Sequence, residues 1–263
     1  MDSINGHNKA CCNIPPIVSK GYELKGKYET IGGLKTYVTG PATATNAIFV
    51  VYDIFGYYEQ TLQGADILST ADPEHAYQVF MPDFFEGNAA DLAWYPPTTE
   101  EKKTALYSWF STRGFDLGVK KSPKILADIE SVYGKKKWAA LGFCWGGKVI
   151  SLLSGPSTPF TVAAQCHPAF ISSDDAKAVT IPMCMLASKE EDADEVKGYE
   201  EALSVERHVE VFGDQIHGWL SARGDLEDER VKGEYLRGYQ VLSGWFGRFI
   251  DGEEGEKKLG GKI

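Results

Sequence analysis

The segment LGFCWGGK places Cys144 between Gly142 and Gly146, a G-x-C-x-G pattern. When this pattern joins a strand to a helix, it holds a nucleophile in a strained backbone conformation at the tip of the turn. The flanking glycines make room for the neighbouring strand and helix. The helix N-terminus beneath such a side chain favours negative charge, which suits a thiolate. The backbone N–H of the next residue, Trp145, supplies one donor for an oxyanion. The bland alternative is a small buried cysteine beside glycines that permit close packing, and the pattern alone does not exclude it.

A thiol nucleophile needs a base and a group that orients the base. In elbow enzymes they follow in the order nucleophile, acid, histidine. His217 lies in FGDQIHGWLSARGD, directly after the strand-like HVEVFG, and is taken as the base. His167, which follows FTVAAQC and precedes Pro168, is its rival; His7, His75 and His208 are less well placed. Asp192, in ASKEEDADE after IPMCMLAS, is taken as the acid, with Asp194 second; Glu190 and Glu191 crowd the same loop. Tyr57, Tyr58, Phe84, Phe85 and Trp94 are available to line an apolar pocket. Trp145 and Trp219, which flank Cys144 and His217, are expected to border it.

These residues need a scaffold, and its elements are visible as an alternation. Gly32 and Gly33 separate YETI from LKTYVTG, which predicts an antiparallel hairpin. NAIFVVYD (46–53) is a continuous apolar run suited to a strand buried on both faces. Further strands are expected over 76–83, 138–143, 160–168, 181–188 and 208–213. Helices are expected at EQTLQGADILST and over about 100–115, 117–133, GGKVISLL, about 194–204 and about 228–250. Strands alternating with helices predict an α/β fold whose mostly parallel central sheet is covered on both faces. Both the His217 and Asp192 loops then fall at the carboxyl ends of strands, where open α/β sheets bind ligands. DLAWYPP, before the first of the long helices, is a candidate lid. Residues 1–25 are expected to be an N-terminal arm, 26–250 one domain, and 251–263 a flexible tail.

The chain has 263 residues, 43% of them hydrophobic, enough for a substantial core. A formal charge of −10 argues against nucleic acid or an anionic membrane as the main partner. No signal peptide and no membrane span are expected. The five cysteines, Cys11, Cys12, Cys144, Cys166 and Cys184, form an odd, sparse set that suits reduced thiols in the cytoplasm. Cys11 and Cys12 lack a second ligand cluster, so no structural metal is expected.

The segments YDIFGYYEQ, VFMPDFFEG, LGFCWGGK, CHPAF and DQIHGW, in this order, resemble the dienelactone hydrolase family of α/β-hydrolases. The likeness extends over most of residues 25–250. The CC-x-x-PP opening and YVTGP resemble a fungal branch of the family. The resemblance implies an α/β-hydrolase fold with Cys144 as nucleophile, Asp192 as acid and His217 as base, and with the N–H of Ile54 joining Trp145 in the oxyanion hole. It implies that Asp53 stands where bacterial members have a glutamate thought to help generate the thiolate. Arg223 resembles an arginine that contacts a substrate carboxylate in those enzymes. Tyr52 lies near enough in sequence to share in thiol activation. The implied activity is hydrolysis of a lactone or activated ester through a thioester, with no metal or organic cofactor, by a monomer or homodimer acting on a small molecule. Two alternatives on the same fold are a non-catalytic small-molecule-binding module and a redox-sensing thiol protein.

Overall fold

The computed structural model describes residues 18–72 and 75–250. His7, Cys11, Cys12 and the tail after 250 lie outside these residues. The strands are β1 (Lys27–Ile31), β2 (Leu34–Thr39), β3 (Asn46–Val51), β4 (Tyr77–Pro82), β5 (Lys137–Phe143), β6 (Phe160–Cys166), β7 (Met183–Ser188) and β8 (Arg207–Phe212). The helices are α1 (Glu59–Thr70), α2 (Glu100–Thr112), α3 (Phe115–Tyr133), α4 (Trp145–Leu153), α5 (Ser173–Ala178), α6 (Ala193–Ala202) and α7 (Glu229–Phe249).

The strands form one eight-stranded sheet in the order β1-β2-β4-β3-β5-β6-β7-β8. The β1–β2 hairpin and the β2–β4 pair are antiparallel, and every pair from β4 to β8 is parallel. Every residue of β3, β4 and β7 is buried, as expected for strands with helices on both faces. α1 packs against α7, and α3 against α4, giving the two covering layers; α4 rests on β3, β5 and β6.

The hairpin, the buried run at 46–51 and the βα alternation follow the sequence expectations to within two or three residues. The short α5, capped by the Ser172 hydroxyl, is an addition that too few residues announced. His75 precedes β4, which lies third in the sheet. Among the described residues no helix is long and apolar enough to cross a membrane.

One buried acid fastens residues 18–25 to this frame. Asp66 on α1 accepts hydrogen bonds from Tyr22 Oη (2.9 Å), Tyr37 Oη (2.8 Å) and the Lys25 amide (3.0 Å). Val18 exchanges two bonds with the Gln63 side chain, and Ser19 Oγ donates to the Leu226 carbonyl. These residues therefore connect α1 to the loop that follows β8.

Candidate active site

β5 ends at Phe143 and α4 begins at Trp145, leaving Cys144 alone at the turn with φ 51° and ψ −109°. A non-glycine residue in that left-handed region costs on the order of 1–3 kcal/mol and persists only where its surroundings hold it. Here they do. The Cys144 amide donates to the Cys166 carbonyl at 3.0 Å, and its carbonyl accepts from the Ala169 amide at 3.0 Å. The glycines are required by contact as well. A Cβ on Gly142 would lie 2.1 Å from the Gly146 carbonyl oxygen, and one on Gly146 would lie 2.0 Å from that of Val51. Sheet and helix meet backbone to backbone there, and the thiol remains partly exposed.

His217 lies in the loop after β8 and reaches this sulfur. Cys144 acts electrostatically on its ring, and its Nδ1 lies 2.6 Å from Glu191 Oε1. Burial disfavours the imidazolium, but the interactions with Cys144 and then with Glu191 raise the His217 pKa well above the ordinary value. The His217 amide donates to Glu190 Oε2 at 3.1 Å, and Arg223 Nη1 donates to its carbonyl. The loop is thus fixed from both sides of the histidine.

The carboxylate that meets His217 is Glu191, one residue before the expected Asp192. The Asp192 carboxylate accepts from the amides of Asp194 (2.9 Å) and Glu195 (3.1 Å), so it caps α6, and it makes no bond to the imidazole among the described residues. Asp194 lies in the first turn of that helix and does not meet His217 either. Only 4% of the Glu191 side-chain surface is exposed, and its second oxygen accepts from the Ser188 amide. The signal for this was present in the sequence: Asp192-x-x-Glu195 is a capping-box pattern that commits Asp192 to the helix start.

Ile54 and Trp145 follow β3 and β5, which are adjacent in the sheet. Their backbone N–H groups have no hydrogen-bond partner among the described residues, leaving both amides available as oxyanion donors. The Trp145 side chain does not border the site. Its indole is fully buried among Phe84, Phe85 and Phe115, and its Nε1 donates to the Arg113 carbonyl at 2.9 Å. Trp219 is also fully buried, packed 4.4 Å from Phe212. The aromatic ring that does meet the base is Tyr95 of the candidate lid, stacked 6.5 Å from His217 with the Arg223 guanidinium 4.6 Å from its centroid.

Asp53 and Tyr52 are both turned to other tasks. Tyr52 Oη donates to Asp83 Oδ1 at 2.6 Å; burial, then the Asp83 charge, push its pKa far up, so it stays neutral. Asp53 is fully buried and accepts from Ser221 Oγ (2.6 Å) and from the amides of Phe55 (2.8 Å) and Ala222 (3.3 Å). Burial raises its pKa, and these three donors oppose that shift. Arg223 is held by the His217 carbonyl, Tyr95 and Glu190 (3.6 Å), and not by Asp225. His167 also lies beside the base, its ring 5.1 Å from that of His217, but it makes no bond to Glu191. Sequence reasoning missed Glu191 as the partner of His217, and it also missed Glu190, Tyr95 and Ser221.

A nucleophile at a strand–helix elbow, with a histidine and a carboxylate at the carboxyl ends of later parallel strands, defines the α/β-hydrolase architecture. The chain belongs to the dienelactone hydrolase family: the family model matches residues 34–249. A protein of the AIM2 family from Schizosaccharomyces pombe is 37% identical, the match covering 87% of this chain and 93% of that one. A carboxymethylenebutenolidase homolog from Xenopus tropicalis is 27% identical over 93% of this chain and 99% of that one. Among solved structures, a putative dienelactone hydrolase from Klebsiella pneumoniae superposes with a TM-score of 0.65 at 18% identity, covering 87% of this chain and all of that one.

Proposed function

We propose that this hydrolase cleaves lactones or activated carboxylic esters through a thioester on Cys144, with Glu191 and not Asp192 as the third member of the triad. The observation that carries the reading is the Glu191–His217–Cys144 chain ending on a nucleophile elbow.

In this reading Cys144 reacts as its thiolate while His217 holds the proton. The sulfur attacks the acyl carbon, and the oxyanion develops against the N–H groups of Ile54 and Trp145. Losing one such donor costs on the order of a hundredfold in turnover. As the carbon–oxygen bond breaks, His217 gives its proton to the leaving oxygen, which for an enol lactone departs as a stabilised enol. His217, now neutral, takes a proton from water as that water attacks the thioester. Collapse expels the thiolate, restores the imidazolium and releases the carboxylic acid. Glu191 keeps Nδ1 protonated throughout and offsets the positive charge. A thiolate suits leaving groups of low basicity, hence esters and enol lactones over amides. The free thiols of Cys144, Cys166 and Cys184 suit a reducing compartment, so we place this work in the cytoplasm.

The test compares wild type with Cys144→Ala and Cys144→Ser on p-nitrophenyl acetate and simple enol lactones, with intact-protein mass spectrometry of quenched reactions. An acyl adduct on Cys144 and loss of turnover in the alanine variant are expected. Wild-type turnover by Cys144→Ala would sink the reading.

A further inference from the structure

His167 is a buried titratable group that the proposed reaction does not use. It stands one residue past β6, is fully buried, and has φ 36°, a left-handed backbone that an imidazole rarely adopts. Its amide donates to the Leu186 carbonyl at 2.7 Å, and its ring lies between Phe143 (5.8 Å) and His217 (5.1 Å, interplanar angle 65°).

The polar partner of this ring settles its tautomer. Nε2 lies 3.4 Å from Ser221 Oγ, and Ser221 Oγ gives its proton to Asp53 Oδ2 at 2.6 Å. With its proton on the shorter contact to Asp53 and not on the Gly218 carbonyl at 3.4 Å, the serine oxygen is assigned as accepting from His167 Nε2–H. Nδ1 then carries a bare lone pair, and it has no hydrogen-bond partner among the described residues. Burial, followed by the positive charges of His217 and Arg223, keeps His167 neutral. A neutral imidazole set edge-to-face against an imidazolium attracts it, whereas a charged one would repel it.

We propose that Asp53, Ser221 and His167 form a second buried chain that positions His217, so that Asp53 supports the Cys144 thiolate at one remove and not by touching it. The inference rests on the reading of Cys144 and His217 as an ion pair. Asp53 has its oxygens filled by Ser221, Phe55 and Ala222, so it clamps the segment after β3 to the loop that carries His217. The other groups acting on His217 are Glu191 at Nδ1, Cys144 through its electrostatics, Glu190 at its amide, Arg223 at its carbonyl and Tyr95 at its stacked face. His167 completes the enclosure, and no proton has to move along the second chain.

The experiment titrates the thiolate, by ultraviolet absorbance and by the rate of Cys144 alkylation with iodoacetamide, in wild type, Ser221→Ala, Asp53→Asn, the double variant and His167→Phe. Ser221→Ala removes one hydroxyl, and its thiolate inflection should move to higher pH, slowing alkylation in mild acid by roughly tenfold, the worth of one buried hydrogen bond. Asp53→Asn should move it the same way, and the double variant no further than the larger single change, because the two residues share one chain. His167→Phe, which keeps a ring but no nitrogen, should also shift it. Unchanged titration in a folded Ser221→Ala, additive single effects, or wild-type titration in His167→Phe would each overturn the proposal. If Ser221→Ala does not fold, Asp53→Asn alone decides by the same inflection. Alkylation does not require ester turnover, so a shifted titration in a protein that hydrolyses no ester supports this inference while sinking the proposed activity.

Discussion

Replacing Glu191 by Gln and, separately, Asp192 by Ala should divide catalysis from stability between two adjacent acids. In the folded chain one Glu191 oxygen accepts from the Ser188 amide and the other lies 2.6 Å from His217 Nδ1. A glutamine can place only one oxygen. If it faces Ser188, the amide nitrogen faces Nδ1 and drives the imidazole into the wrong tautomer; if it faces His217, an N–H meets an N–H at Ser188. Losing a hydrogen bond to a charged group costs about 1.5–3 kcal/mol, or roughly 10- to 150-fold in kcat, and the wrong tautomer adds to that. Asp192→Ala instead removes a helix cap, costing about 1 kcal/mol, a shift of about 2–4 °C in Tm for a chain of this size. Its kcat should stay within about twofold of wild type, since the capping carboxylate does not touch the imidazole. The assay is steady-state p-nitrophenyl acetate hydrolysis beside thermal unfolding. If Asp192→Ala abolished turnover and Glu191→Gln spared it, the reasoning from hydrogen-bond partners to role would be wrong.

Gly146→Ala should cost about 3 kcal/mol or prevent folding, because its Cβ would meet the Val51 and Tyr52 carbonyls at 2.0 and 2.7 Å; a wild-type urea midpoint would contradict this. Arg223→Ala should lower kcat/KM by about tenfold by freeing the His217 carbonyl and the Tyr95 face, and Arg223→Lys should not restore it, because an ammonium cannot both stack and fork. The pH dependence of stability has a definite sign at each histidine. The folded pKa of His167 is depressed, so below its unfolded value the unfolded chain binds a proton that the folded chain refuses; stability then falls with falling pH by up to about 1.4 kcal/mol per unit. The raised pKa of His217 acts oppositely, its contribution being complete in acid and lost as pH rises through the folded value. His167→Gln should therefore flatten the acid-side decline in urea midpoints, and an identical slope would count against the assignment.

What was legible in the sequence was local. Gly142, Cys144 and Gly146 stand together because an elbow needs them together, and His217 follows its strand directly. Which carboxylate meets His217 was also a local matter, yet hard to read. Three carboxylates share the loop after β7 and a fourth, Asp194, opens α6; only the demand of that helix for a cap at Asp192 leaves Glu191 free to turn inward. The fate of Asp53 could not be read, because its partners Ser221 and Ala222 lie 168 and 169 residues away. Trp145 and Trp219 misled for a related reason: adjacency to a catalytic residue places the backbone at the site but says nothing of where the indole goes. Both indoles are fully buried.

The lacing of residue 144 to the β6 side, through its amide on Cys166 and its carbonyl under Ala169, makes its pose a property of the neighbouring chain and not of the sulfur. Whatever side chain occupies that position inherits the same presentation. An exchange of sulfur for oxygen is then a question of acidity alone, decided by whether His217 can strip a proton from an alcohol as readily as it shelters a thiolate. Chemistry at this position is interchangeable in principle without redesigning the scaffold.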